Sequence, residues 1–201
     1  MGKIFYIMGK SATGKDHLYE ALIGREELNL HPVVLYTTRP IRKGERDGRE
    51  YYFVNVEKLV QLRLAGKIIE ERMYNTVQGP WYYFTADEGQ FRLEVEDYIG
   101  IGTLESYEKI KAYFGPEQVI PLYVETEDGI RIRRALRREE KQAKPGYEEM
   151  CRRFLADCED FSEEKIAEAG IEKRFQNNGE FGACLEELAA YIKKVQNNAV
   201  S

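Results

Sequence analysis

Ile4-Phe5-Tyr6-Ile7-Met8-Gly9-Lys10-Ser11-Ala12-Thr13-Gly14-Lys15-Asp16 is the stretch on which the fold turns. Five apolar residues in a row are what a strand covered on both faces requires. A glycine-bearing loop follows, and then a helix over about Lys15 to Glu27. The loop reads G-x-x-x-x-G-K, with Asp16 where this phosphate-binding pattern carries Ser or Thr. Its glycines let backbone N–H groups converge on one point as an anion nest. The helix N-terminus adds about half a positive charge there. Lys15 supplies a mobile cation for the outer phosphates. Gly9, Lys10, Ser11, Ala12, Thr13, Gly14 and Lys15 are thus expected to hold a nucleotide's phosphates. Asp16 is read as part of this nucleotide site, a hard oxygen ligand for Mg²⁺, with a first-turn aspartate of no metal role as the competing reading.

Outward from this unit, strand-like and helix-like patterns alternate, which predicts an α/β fold on a parallel sheet with helices on both faces. A second short strand is expected at Val33–Tyr36. Residues 37 to about 85 change texture, with Arg, Gly and Tyr and alternating stretches at Tyr51–Val54 and Ile68–Tyr74. They read as an inserted, mostly antiparallel subdomain. The parallel core resumes with a strand at Tyr98–Gly102, a helix at Leu104–Phe114 and a strand at Val119–Val124. Glu127 to Asp160 reads as helical, broken at Lys144-Pro145-Gly146, and most of its arginines read as a solvated face. A strand at Lys173–Gln176 and a helix at Phe181–Val195 close the chain.

The 201 residues carry 30 Lys+Arg against 35 Asp+Glu, a formal charge of −5. That balance argues against a dedicated nucleic-acid binder. At 43% apolar residues the chain can build a core, and no apolar run reaches the ~18 residues of a membrane span. No export signal is read at the N-terminus, so the expectation is a cytoplasmic protein with no membrane partner. Its three cysteines are then expected to be reduced, buried thiols. His17 and His31 are expected to be surface or packing residues.

Thr37-Thr38-Arg39-Pro40-Ile41-Arg42-Lys43-Gly44-Glu45-Arg46-Asp47-Gly48-Arg49-Glu50-Tyr51-Tyr52-Phe53 is the second signal. Arginine forks suit bidentate oxyanion binding, and tyrosine hydroxyls add neutral donors. A basic loop balanced by its own acids is the competing reading.

With both motifs in view, the chain resembles the guanylate kinase family as a divergent member. That family pairs an N-terminal phosphate loop with T-T-R-x-x-R-x-G-E-x-x-G-x-x-Y-x-F, and every fixed residue of the second pattern is present at its spacing. The resemblance extends to about Tyr191. It implies a P-loop NTPase-type core (about 1–36, 97–126 and 161–201), a nucleoside-monophosphate-binding insertion (about 37–96) and a helical lid (about 127–160). It implies phosphoryl transfer from ATP, with Mg²⁺, to GMP or another nucleoside monophosphate. Arg39, Arg42 and Tyr51 would then grip the acceptor phosphate, joined by Tyr83. Glu70 would accept from guanine N1–H and the exocyclic amine, with Thr85 as a hydroxyl toward the base. Lys15, Arg134, Arg138 and Arg153 would clamp the transferring group, and Asn178 would lie near the ATP adenine.

The chain also departs from the family. The core strand Tyr98-Ile99-Gly100-Ile101-Gly102 has glycine where the family carries two aspartates. Leu35 stands where it has a phosphate-binding serine. Extra residues, including Gly79-Pro80-Trp81, precede Tyr83, and Trp81 is open to both base stacking and packing. Two alternatives to the GMP kinase therefore stand: a catalytically weak or inactive nucleotide- or peptide-binding module, and a kinase for a different small phosphorylated acceptor.

Overall fold

The protein is described here from a computed structural model, which covers residues 1–76 and 79–198. Residues 77–78 of the expected insertion and 199–201 of the expected core lie outside the described residues. In chain order the elements are β1 (Ile4–Met8), α1 (Lys15–Ile23), β2 (Leu30–Pro32), β3 (Tyr36–Thr37), β4 (Tyr52–Phe53), α2 (Val56–Leu64), β5 (Ile68–Thr76) and β6 (Gly79–Ala86). There follow β7 (Asp97–Gly102), α3 (Leu104–Phe114), β8 (Val119–Glu125), α4 (Asp128–Glu140), α5 (Tyr147–Asp160), α6 (Glu163–Glu168), β9 (Arg174–Gln176) and α7 (Phe181–Asn198).

Strand β1 organises the core. Its five residues are all buried, and alternate side chains serve opposite faces. Ile4, Tyr6 and Met8 join a cluster with Tyr107 and Ile110 of α3 and Ile166 of α6. Phe5 and Ile7 join another with Leu18 and Leu22 of α1 and Leu188 and Ile192 of α7. The first sheet has the order β2-β7-β1-β8-β9 and is parallel throughout. Helices therefore cover both of its faces, as the alternating pattern predicts.

A second sheet has the order β4-β3-β6-β5. Two of its pairings, β3·β6 and β5·β6, are antiparallel, and β3·β4 is parallel. Its own core gathers Tyr36, Leu59, Leu62, Phe84 and Ala86.

Three local expectations need correction. The strand expected at Val33–Tyr36 is split between the two sheets. The Val33 N–H still bonds the Ile99 carbonyl of the first sheet, and by Tyr36 the chain pairs with Phe84 of the second. The first helix stops at Ile23 before Gly24, and Glu26–Leu28 forms a separate 3₁₀ turn. Glycine there lacks the helix propensity to carry the helix on. Helix α2 was not expected within the insertion. Asn55 caps it by accepting the Lys58 N–H at 2.9 Å, and Leu59 and Leu62, three apart, bury against the second sheet.

Candidate active site

The phosphate loop leaves β1 at Gly9 and ends where Lys15 opens α1. Gly14 has φ 89°, and a Cβ there would lie 2.7 Å from Asn177 Nδ2, so both conformation and space select glycine. Asn177 Nδ2 donates to the Thr13 carbonyl at 2.7 Å, and Thr13 Oγ1 donates to the Lys10 carbonyl at 2.9 Å. Lys15 and Asp16 stand side by side, with Nζ 3.8 Å from Oδ2. The Lys15 side chain is half-buried against the loop, and that of Asp16 is 75% exposed.

Helices α4 and α5 hold the loop from the other side. Arg131 is 1% exposed, which corrects the solvated-face reading at this position. Its Nε donates to the Ser11 carbonyl at 2.9 Å and its Nη2 to Asp157 Oδ2 at 2.9 Å. Its Nη1 donates to Asp128 Oδ1 at 2.5 Å. Asp157 Oδ2 also accepts the Ser11 N–H at 2.7 Å. A buried guanidinium is tolerable because both aspartates face it. Arg133, Arg137 and Arg152 are exposed, as expected of a solvated face, and Arg138 and Arg153 are exposed as well.

The three arginines expected at the transferring group fall in two places. Arg134 donates to the Thr13 carbonyl at 3.3 Å and the Asn177 carbonyl at 3.0 Å. Arg138 and Arg153 border one small crevice together with Ser11. Asn178 Oδ1 accepts the Glu127 N–H at 2.8 Å, tying the end of β9 to the start of α4.

The second anion motif lies on the second sheet. Arg39 is buried and meets Glu45 in a fork, Nη1 to Oε2 at 2.8 Å and Nη2 to Oε1 at 2.6 Å. Its guanidinium lies 5.1 Å from the Tyr51 ring centroid and 5.2 Å from that of Phe53. Glu45 Oε2 also accepts the Arg42 N–H at 2.8 Å, while the Arg42 side chain is exposed. The Arg39 hydrogen bonds hold the Glu45 carboxyl down at about 2. Tyr51 and Tyr83 meet edge to face at 5.7 Å.

Tyr51, Tyr83 and Arg153 share a cleft of about 610 Å³ with Leu35, Trp81 and Arg72. Trp81 thus lines the cleft. Glu149 joins from α5, its carboxyl held down at about 2 by hydrogen bonds from Arg152 and Arg153.

Glu70 is 2% exposed and already engaged. Its Oε1 accepts from Thr85 Oγ1 at 3.0 Å, and its Oε2 from Ser106 Oγ at 3.4 Å. Arg72 Nε lies 3.2 Å from Oε2. Thr85 and Glu70 are therefore together as expected, whereas Arg72 and Ser106 were not anticipated.

The glycines of β7 also have a structural reason. A Cβ on Gly102 would come within 2.1 Å of the Tyr6 hydroxyl, and one on Gly100 within 2.7 Å of Tyr6 Cδ2. The Tyr6 ring, reaching across from β1, fills the space that side chains on β7 would need.

The cysteines correct another expectation. All three are free thiols, but Cys151 is exposed and Cys158 half-buried, leaving only Cys184 in the core. Both histidines are exposed, as expected. Among the described residues, no helix is long and apolar enough to cross a membrane.

Residues 1–89 match the family model described as guanylate kinase. The chain is 33% identical over 117 residues to a guanylate kinase of Porphyromonas gingivalis, covering 57% of this chain and 61% of that protein. It is 42% identical over 82 residues to one of Aromatoleum aromaticum, covering 40% and 38%. The alignments thus span less than two-thirds of these relatives' own length. The crystal structure of guanylate kinase from Anaplasma phagocytophilum superposes with a TM-score of 0.60 at 19% identity, over 98% of this chain and 86% of that one. At that identity the superposition speaks for the fold. The family-model and sequence matches bear out the resemblance to the guanylate kinase family, and the residues the family model matches carry both anion motifs.

Proposed function

We propose that the chain transfers a phosphoryl group from ATP to a nucleoside monophosphate, with GMP the first candidate. The observation that carries this reading is the position of Arg153. It borders the crevice at Ser11 of the phosphate loop and also the cleft containing Tyr51 and Tyr83. A donor phosphate on the loop and an acceptor phosphate by Tyr51 and Tyr83 would thus have one cation between them. In this reading the core (1–36, 97–126, 161–201) handles the donor, the insertion (37–96) the acceptor, and 127–160 acts as the lid.

Phosphoryl transfer asks little covalent chemistry of a protein. It asks for two phosphates in line, neutralised charge and excluded water. Lys15 and the N-terminus of α1 would meet the donor phosphates, and Arg138 and Arg153 the charge that develops between the two nucleotides. Arg39, Arg42, Tyr51 and Tyr83 would orient the acceptor phosphate. Arg134 acts one step back, through the Thr13 and Asn177 carbonyls it holds.

Mg²⁺ fits the donor set at one point. Among the described residues no three His, Cys, Asp or Glu side chains cluster as a metal cage. Mg²⁺ in such sites needs only one or two carboxylates, with phosphate oxygens and water completing its shell. Asp16, exposed beside Lys15, is the residue that would hold it. The ion would neutralise phosphate charge.

The test is ADP formation from Mg-ATP with GMP, dGMP, AMP, CMP and UMP. Turnover with a nucleoside monophosphate that is lost in Lys15→Met supports the reading. ATP hydrolysis indifferent to every acceptor, or nucleotide binding with no ADP formed, overturns it in favour of a binding module or an unrelated acceptor.

A further inference from the structure

The cleft presents a donor where the resemblance leads one to expect an acceptor. The expected base reader, Glu70, is 2% exposed and already faces Thr85, Ser106 and Arg72. Among the described residues lining the cleft, Arg72 is present and Glu70 is not. The Arg72 side chain is 23% exposed, with Nε 3.2 Å from Glu70 Oε2 and Nη2 3.5 Å from Oε1, so the buried carboxylate anchors the guanidinium. Beside it stand Tyr74 and Trp81, flat apolar surfaces of the kind on which a base stacks.

A carboxylate suits N–H groups, such as guanine N1–H and its 2-amine. A guanidinium carries only donors, so it suits carbonyl and ring-nitrogen acceptors. Its planar fork matches the O6 and N7 pair of a 6-oxopurine, the commonest specific contact of arginine with a base. We propose that Arg72 is the specificity-determining residue of the acceptor cleft, and that it selects 6-oxopurine nucleotides through O6 and N7 while Glu70 serves to hold Arg72 in place. This deepens the nucleotide-kinase reading and rests on it.

The consequence is indifference to the 2-amine. GMP and IMP share O6 and N7 and differ at position 2, whereas AMP turns an amine donor toward the arginine. Steady-state turnover of the intact chain with Mg-ATP should give kcat/KM values for IMP and GMP within about 3-fold of each other. AMP should be lower by about 10- to 100-fold, the usual scale of bidentate discrimination. Arg72→Gln should lower GMP and IMP together by about 10-fold or more, with ATP binding unchanged. Arg72→Lys, which keeps the charge without the fork, should lose most of the discrimination against AMP.

A wild-type preference for GMP over IMP beyond 10-fold overturns the proposal while leaving a kinase. That measurement needs no variant, so it holds even if Arg72→Gln fails to fold. A folded Arg72→Gln chain with unchanged acceptor preference overturns it equally. Failure to phosphorylate any nucleotide is the different result that removes the underlying reading.

Discussion

Arg131 and Asp157 form an ion pair against the phosphate loop, 2.9 Å from Nη2 to Oδ2, and both bind the backbone of Ser11, one at its carbonyl and one at its N–H. The pair therefore ties α4 and α5 to the loop through a single residue. Arg131→Ala leaves the largely buried Asp157 without its cation, while the exposed Asp128 can turn to water. Removing one partner of a buried pair costs about 3–5 kcal/mol. Urea unfolding should show a loss of that size, and ATP binding should weaken as the loop loses its support. A loss below about 1 kcal/mol would mean that water or a neighbouring arginine takes over the guanidinium's place.

The Arg39–Glu45 fork predicts a separation of the two binding events. Arg39→Ala should weaken acceptor binding while leaving ATP binding near normal, readable by titrating each nucleotide separately. Equal loss of both would indicate that Arg39 is structural.

The same fork gives a pH signature. Glu45 titrates at about 2 in the folded chain against an ordinary value of 4.5. A lowered carboxyl contributes stability that is complete above the unfolded value and disappears as pH falls through the folded one. The contribution should therefore fade between about pH 4.5 and 2. Carboxyl titration by NMR should place Glu45 near the lower value, and Arg39→Ala should return it toward the upper one. An unmoved Glu45 in the variant would refute the assignment.

Gly102 and Tyr6 predict a conditional substitution. Gly102→Asp restores the residue type of the resembled family but places a Cβ within 2.1 Å of the Tyr6 hydroxyl. Overpacking of this kind costs about 2 kcal/mol, or roughly 4–8 °C in a chain of this size. Tyr6→Phe removes the colliding oxygen, so the double variant should melt above Gly102→Asp alone. Additive losses would count against this account.

Thiol labelling should follow burial. Cys151 is exposed, while burial pushes the Cys184 thiol up to about 11. Iodoacetamide at pH 8, read by mass spectrometry, should modify Cys151 first and Cys184 only after unfolding. Early labelling of Cys184 would mean that α7 opens from the sheet.

Much of this was legible where the signal is local. The apolar run Ile4–Met8, the glycines after it and Lys15 at the helix start are contiguous, and local chemistry decides all three. The Thr37–Phe53 motif is contiguous too, and it places Arg39, Tyr51 and Glu45 together. What stayed hidden depends on distant partners. Arg131 lies in a helix dense with arginines, and only its meeting with Asp157 across the α4–α5 turn separates it from its solvated neighbours. Arg72 follows Glu70 by two residues, so both project from the same face of β5, and nothing in the sequence says which of the two lines the cleft. Tyr6 read as one more apolar residue of a strand, because its contact with β7 exists only once the two strands pair.

Strands β2 and β7 are hydrogen-bonded neighbours, Leu30 opposite Asp97, and the whole second sheet is spun out of the chain between them. An excursion clasped at its base in this way can lengthen, shorten or be exchanged without shifting the register of the five strands beneath it. On the proposed kinase reading, inheritance can thus revise the acceptor while conserving the donor side. Residues 33–96 are then the segment to graft between relatives when a new acceptor is wanted on an old donor site.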